Sequence, residues 1–402
     1  MNSYKLNSVL ILLILAWATV VMAGEKIIKN GIVHIINGAV PSQGMETIQL
    51  RELWRIGGED DEFIFRSINK VLLGRHNNLY ILDGISGIIY VNSQEDGSGI
   101  RQMNISGEGP GELNFAKNMF LMEENKIALL RSHPAKIVCI DYQGIPQEGV
   151  DLSGDTFFIA GIGDWRDQTL VIAGTSAEIR NGQTFVARFN RYGEMYRYEN
   201  YPTRSSPSQR VMAEEDDYFI VGKPWAIGQE GYLYLAPYWT LLDHNYYQIN
   251  IYNDQGGLDR IITRQFNAYK RSSKEKERRI TQKLGQQGLE RLVGMGFEYL
   301  AEDFEPDILE VYAHPGGNIW VRTSRSVRDQ KPGVIVSYDV FSPQGHFLKQ
   351  VSLVGDGDIQ KDIIYFLDEN RIVLVKGQLD IEFDYSLSSE ADILEIVCYG
   401  FQ

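Results

Sequence analysis

The stretch "GEGPGE", residues 107–112, places three glycines and a proline directly after the alternating "RQMNIS". Two readings compete for it. A dinucleotide-binding loop needs G-x-G-x-x-G with a helix opening at the last glycine. Gly107 and Gly109 fit, but the third position is Glu112, whose carboxylate would repel a phosphate. The following "LNFAKNMFLM" reads as a strand, and the Gly-Lys-Ser/Thr of a P-loop is absent. The other reading is a sharp crossing between strands. Glycine opens backbone angles closed to other residues, and Pro110 stiffens the path.

Outward from this loop, one phrase recurs: a polar turn, then a short apolar strand. It appears as "NNLYILD" (77–83), "ENKIALLR" (124–131), "DQTLVIAG" (167–174), "EGYLYLAP" (230–237), "GGNIWVRT" (316–323) and "ENRIVLVK" (369–376). Aligning Leu79, Ile127, Leu170, Leu233, Ile319 and Ile372 gives intervals of 48, 43, 63, 86 and 53 residues. Such periods fit four-stranded propeller blades. After each of the first five phrases comes an alternating strand with an Asp/Asn/Gln-Gly type of turn, such as "KIVCIDYQG", and then another strand. One further strand precedes each polar turn, which makes four per repeat, a to d. The sixth repeat supplies only three. The missing d strand is available in "TIQLRELWRIGG" (47–58), which would close the ring and remove its exposed edges. "GEGPGE" is then the crossing from the outer strand of blade one to the inner strand of blade two.

The repeats, strand order and loop together resemble the exported bacterial six-bladed β-propellers of the NHL-repeat and TolB-like group. Those proteins carry a G-x-G-P-G-E-[LF] phrase between the first two blades, matched here by Gly107, Gly109, Pro110, Gly111, Glu112 and Leu113. "GGNIWV" is similar to their DxxGxIWV phrase, with His314 in place of the leading Asp. The resemblance spans about residues 45–401 and implies a fold rather than an activity. Its members include lyases, lactonases, quinoprotein dehydrogenases, sensor domains and scaffolds. The expected fold is therefore all-β: a six-bladed β-propeller over residues 45–402, closed by an N-terminal strand.

Two segments fall outside the repeat. The interval of 86 contains a charged, helix-like stretch, residues 267–306, between blades four and five. Ser272 and Glu275 have capping-box spacing, and Gly285 and Gly288 suggest a break, so a helical hairpin is expected. At the N-terminus, Lys5 precedes the uncharged "VLILLILAWATVV" (9–21), and Val21-Met22-Ala23 offers compact residues for cleavage. Residues 1–23 read as a signal peptide, which implies a periplasmic or secreted protein, and 24–44 as a lead-in segment. No later apolar run is long enough to span a bilayer.

The net charge of −14 argues against nucleic acid as a partner. Cys139 and Cys398 fall in the c strands of blades two and six, too far apart to join. The six His show no HxH or HExxH pair, and no G-x-S-x-G elbow occurs. The acidic clusters at 58–63, 213–218 and 355–358 lack EF-hand spacing. No metal ligand set and no cofactor is indicated. What remains is the b–c rim, where loops lengthen along the chain and recognition commonly sits. Aromatics supply contact area and Arg directional hydrogen bonds. Tyr238, Trp239, His244, Arg325 and Arg328, with Arg131 and His133 across the mouth, are the candidate ligand-binding residues. The leading expectation is a non-catalytic binding or scaffold module for a protein, peptide or glycan. The alternative is a lyase or hydrolase at the channel mouth, with a divalent metal conceivable there.

Overall fold

Blade one shows why these sequences stack as blades. Its strands Ile68–Leu73, Asn78–Asp83, Ile88–Ser93 and Gly99–Asn104 pair antiparallel in chain order. The second strand is buried on both faces. Leu79 and Ile81 join a core shared with blade six, while Tyr80 and Leu82 join one shared with blade two. A sheet apolar on both faces must be covered on both, and radial stacking does this without helices. The outer strand is mostly exposed, so its alternation is polar.

The structure is a computed structural model that describes residues 24–402 except 59–63, 123–124, 151, 153–157, 177–181, 191–192, 207–208, 239–241, 329 and 380–393. The same pattern repeats through all six blades, whose inner strands are Ile68–Leu73, Ala116–Met122, Phe158–Arg166, Trp225–Ile227, Ile308–Ala313 and Ile363–Phe366. The molecule is an all-β six-bladed propeller. Cys139 and Cys398 are free and buried in different cores, and burial pushes the Cys398 thiol up to about 12. No helix of the described residues is long and apolar enough to cross a membrane.

Ring closure uses the strand Met45–Gly57. Its second half runs antiparallel to Glu395–Phe401, from Leu50 opposite Phe401 to Gly57 opposite Glu395, and supplies the fourth strand of blade six. Its first half runs parallel to the outer strand of blade five, Met45 opposite Gln350 and Gln49 opposite Val354. One strand thus joins two blades in an eight-stranded sheet. Trp54 then crosses to blade one, where Nε1 donates to the Gln94 carbonyl at 2.9 Å. Its ring lies so close to Gly97 that a Cβ there would sit 2.8 Å from it.

Residues 24–44, expected as a lead-in, also carry structure. The hairpin Glu25–Lys29 and Ile32–Asn37 extends blade four, with Ile32–Asn37 parallel to its outer strand Leu258–Gln265. Asn37 pins blades four and five together. Its Nδ2 donates to the Thr263 and Gly345 carbonyls at 3.1 and 2.9 Å, and its Oδ1 accepts from Phe347 N at 2.8 Å.

The insertion between blades four and five is one helix, Ser273–Gly294, and not the expected hairpin. Glycine costs a helix only about 1 kcal/mol relative to alanine, and neither Gly285 nor Gly288 ends it. The reversal comes later, at Gly296, where φ is +78°. The chain then returns as Glu298–Leu300, parallel to Val211–Ala213 of the long blade three to four connection. The capping box does form: Glu275 N donates to Ser272 Oγ at 3.3 Å and Ser272 N to Glu275 Oε2 at 2.8 Å.

A chain beginning at Met45 should unfold in one cooperative transition. A chain beginning at Gly58 should lose that transition and self-associate through the open edge of blade six. Trp54→Ala in the full chain should cost about 3–5 kcal/mol in urea unfolding, the range for a buried aromatic. A cost under about 1 kcal/mol would show that closure does not depend on this side chain.

Candidate binding rim and axial charges

The b–c end of the ring carries the inserted helix, and the rim cations hold it there. Arg271 and Glu214, with side chains 3% and 7% exposed, form a two-pronged pair at 2.6 and 2.9 Å. Arg279 adds a third contact to Glu214 at 3.2 Å. Burial works to raise the Glu214 carboxyl, and the two guanidiniums outweigh it, so the net displacement is downward. Arg328 pairs with Glu305 and, at 3.2 Å, with Glu275, while its guanidinium lies 3.6 Å from the centre of the Tyr269 ring. Arg325 Nε donates to the Asn267 carbonyl. The two arginines of the blade-five loop therefore grip the insertion.

The other rim residues have equally local partners. Tyr238 lies in the core between blades three and four, stacked on Tyr201 at 4.6 Å. His244 stacks on Phe304 at 3.8 Å, and its Nδ1 is buried without a hydrogen-bond partner among the described residues. Arg131 bonds Glu108 at 2.9 Å and the Pro134 carbonyl at 3.3 Å. His133, joined to Pro134 by a cis peptide, lies in the same loop. Trp239 falls outside the described residues. The structure brings Arg325 and Arg328 together at the insertion and leaves Arg131 and His133 in the loop of blade two.

A cavity of about 180 Å³ opens at the joint of blades four and five, lined by Arg264, Phe266, Asn267, Thr323, Arg325 and Gln350 among others. Its floor is a buried polar network. Arg264 pairs with Asp339 at 3.2 Å, Tyr247 donates to the same carboxylate at 2.7 Å, and Gln350 Nε2 donates to it at 3.1 Å. Arg264 also donates to the Ala39 carbonyl at 3.2 Å and packs over Phe347, yet its Nε remains buried without a hydrogen-bond partner among the described residues. Of the rim candidates among the described residues, only Arg325 lines this space. Arg264, Gln265 and Gln350 enter from outer strands, where the sequence offers no local signal.

Lys70 and Asp164 lie on the inner strands of blades one and three, and Lys223 lies two residues before that of blade four. Lys223 Nζ donates to Asp164 Oδ2 at 2.6 Å, and Lys70 Nζ sits 5.6 Å from the centre of the Tyr365 ring. Burial and the Lys223 charge push the Lys70 ammonium down to about 8, against the opposing pull of Asp164. Each of the three appears once, in a different repeat, so the sequence alignment gave no reason to group them.

The opening motif is structural. Glu112 folds back and accepts from Gly109 N at 2.9 Å, and Gly107 N donates to Asn114 Oδ1 at 2.9 Å. The glutamate approaches so closely that a Cβ on Gly107 would lie 1.9 Å from its oxygen. Glu108 points outward to Arg131. His314 takes over the turn role of the absent Asp: its Nδ1 accepts from Gly316 N at 3.1 Å while its ring stacks on Trp320 at 4.5 Å. Burial holds it down near 4, in the neutral form this bond requires. Asp307 and Glu199 are buried acids that burial pushes up to about 7, and neither carboxyl oxygen of Asp307 has a hydrogen-bond partner among the described residues. Among the described residues no group of three or more His, Cys, Asp or Glu gathers to hold a metal ion.

A family model described as a six-bladed beta-propeller, DUF5128, matches residues 59–157. A search of curated proteins finds no match. Among solved structures, the chain is similar to a DUF4221 family member from Bacteroides vulgatus, at 11% identity, covering 88% of this chain and 98% of that one, with a TM-score of 0.46. It is also similar to regucalcin, a calcium-binding protein from Agrobacterium tumefaciens, at 8% identity, 88% and 95% coverage and a TM-score of 0.44. The luciferin-regenerating enzyme matches at 9% identity, 84% and 92% coverage and a TM-score of 0.39.

Arg271→Ala leaves the buried Glu214 with Arg279 alone of its two guanidinium partners and should cost about 3 kcal/mol in urea unfolding, the lower end for a broken buried pair. A loss under about 1 kcal/mol would mean that the pair does not hold the insertion down. Asp307 binds its proton more tightly folded than unfolded, since its pKa rises from 3.8 to about 7. Its contribution is full below the lower value and is lost as pH rises through the upper one. His314 acts oppositely, contributing above 6.5 and losing that contribution as pH falls through about 4. The stability gap between Asp307→Asn and the unaltered chain should therefore move in favour of the variant from pH 5 to pH 8. An unchanged gap would show that Asp307 does not titrate in that window.

Proposed function

We propose that this chain is an exported binding or scaffold propeller that recognises a protein, peptide or glycan at its b–c rim. The cavity at the joint of blades four and five carries this reading. It combines an aromatic wall, Phe266, with the directional donors and acceptors of Arg264, Asn267, Thr323, Arg325 and Gln350. Such a mixture suits a polar chain-like ligand better than a lipid or a nucleic acid. The rim is preorganised by the buried Arg271–Glu214 pair and by Arg328, so a ligand would meet a fixed wall. Export rests on the apolar run at 9–21 and the compact residues that follow it.

Arrays of peptides and glycans probed with the purified chain test the proposal. Arg325→Ala should weaken a selected ligand at least about tenfold, or ~1.4 kcal/mol. Gln255→Ala, in the exposed turn at the opposite end of blade four, should leave binding unchanged. A ligand indifferent to Arg325→Ala but lost with Gln255→Ala would place recognition at the other end and sink the rim reading.

A further inference from the structure

The outermost strand of blade four has an unpaired edge. Glu25–Lys29, "EKIIK", pairs with Ile32–Asn37 on one side, and among the described residues no strand lies along the other. All five of its residues are exposed, Ile28 to 71%.

The turn at the tip of this hairpin fixes which backbone groups the edge offers. Lys29 pairs with Ile32 across Asn30 and Gly31, whose φ angles are +53° and +81°. Such a two-residue turn closes on a pair that exchanges both hydrogen bonds. Bonded pairs alternate along an antiparallel ladder, so Lys29, Ile27 and Glu25 bond inward to Ile32, His34 and Ile36. Lys26 and Ile28 therefore turn their N–H and C=O groups outward, the state in which an edge accepts another strand.

The sequence of this edge is complementary to its own reverse. Set antiparallel to a second copy, with the two-fold axis at Ile27, Lys26 stands opposite Ile28 and each such pair exchanges both hydrogen bonds. Glu25 stands opposite Lys29 at either end, in the non-bonded positions where side chains come closest. Ile27 meets itself at the centre. Moving the axis by one residue loses this match. Centred on Lys26, the pairing sets like charges together; centred on Ile28, it puts Glu25 opposite Gly31.

We propose that this edge joins two copies of the chain into a two-fold dimer, whose fused sheet runs from one blade four into the other. One short strand per copy buries less than the about 1,200 Å² of a stable complex, so the association is weak and concentration-dependent. Glu25–Lys29 form the outer margin of blade four and not the cavity, so the proposal does not depend on the rim reading.

Sedimentation velocity of the purified chain, from about 10 μM to about 1 mM, should show a shift from monomer to dimer. Glu25→Lys and Lys29→Glu each set like charges opposite one another at both ends and should each weaken the dimer about tenfold. The doubly reversed chain restores the match with the signs exchanged and should return to the strength of the unaltered chain. Cross-linking provides a second measurement. Facing Cα atoms at the axis would lie about 4.5 Å apart, within disulfide reach, whereas Lys26 faces Ile28 and not itself. Mild oxidation should therefore join Ile27→Cys into a covalent dimer and leave Lys26→Cys monomeric, since Cys139 and Cys398 are buried. A chain monomeric throughout the range, a dimer indifferent to the single reversals, a doubly reversed chain no stronger than either single one, or cross-linking of Lys26→Cys in preference to Ile27→Cys would each overturn the proposal.

Discussion

Closure by the strand Met45–Gly57 is the constraint on which the other features depend. Six radial sheets stacked only on their neighbours would leave blade six with three strands and an open edge. The closing strand supplies the fourth and continues along the edge of blade five. Around the seam, Gln378 accepts from Ile68 N at 2.7 Å and Arg371 reaches Gln94 at 2.7 Å. These contacts bring blade six against blade one. Across this seam Lys70 of blade one also lies over the Tyr365 ring of blade six.

A second level of order sits on the b–c end. The helix Ser273–Gly294 buries few of its own side chains and is held by electrostatics at its first turn and by a short parallel pairing after its last. Buried ion pairs are poor sources of net stability but severe when broken, because the surviving charge has no solvent. Arg271 and Glu214 thus specify where the insertion lies more than they strengthen the fold. The rim arginines read from sequence as ligand contacts belong largely to this internal framework, and Arg325 also lines the cavity at the joint of blades four and five.

The legible parts of the chain were those written in periodicity. Leu79, Ile127, Leu170, Leu233, Ile319 and Ile372 mark equivalent strands because each must be buried on both faces by two neighbouring blades. The closing strand was legible because blade six lacked a partner for "EIVCYGF". The helix was overdivided at Gly285 and Gly288, since glycine weakens a helix without obliging it to end. The cavity was not legible at all: Arg264 and Gln350 lie on outer strands of adjacent blades, 86 positions apart, and nothing local marks their meeting.

Sequence by itself determined the number of blades, their strand order, the closing strand and the loop "GEGPGE" as a crossing, because repetition and burial on both faces are properties of short segments. Tertiary structure alone decided which charges meet. Glu112 turned inward to its own loop while Glu108 turned outward to Arg131. Asn37 became a pin between blades, and Lys70 came to lie over the ring of Tyr365 on the adjacent blade six. Those outcomes depend on side chains brought together across blades by ring geometry, and separation along the chain carries no record of it.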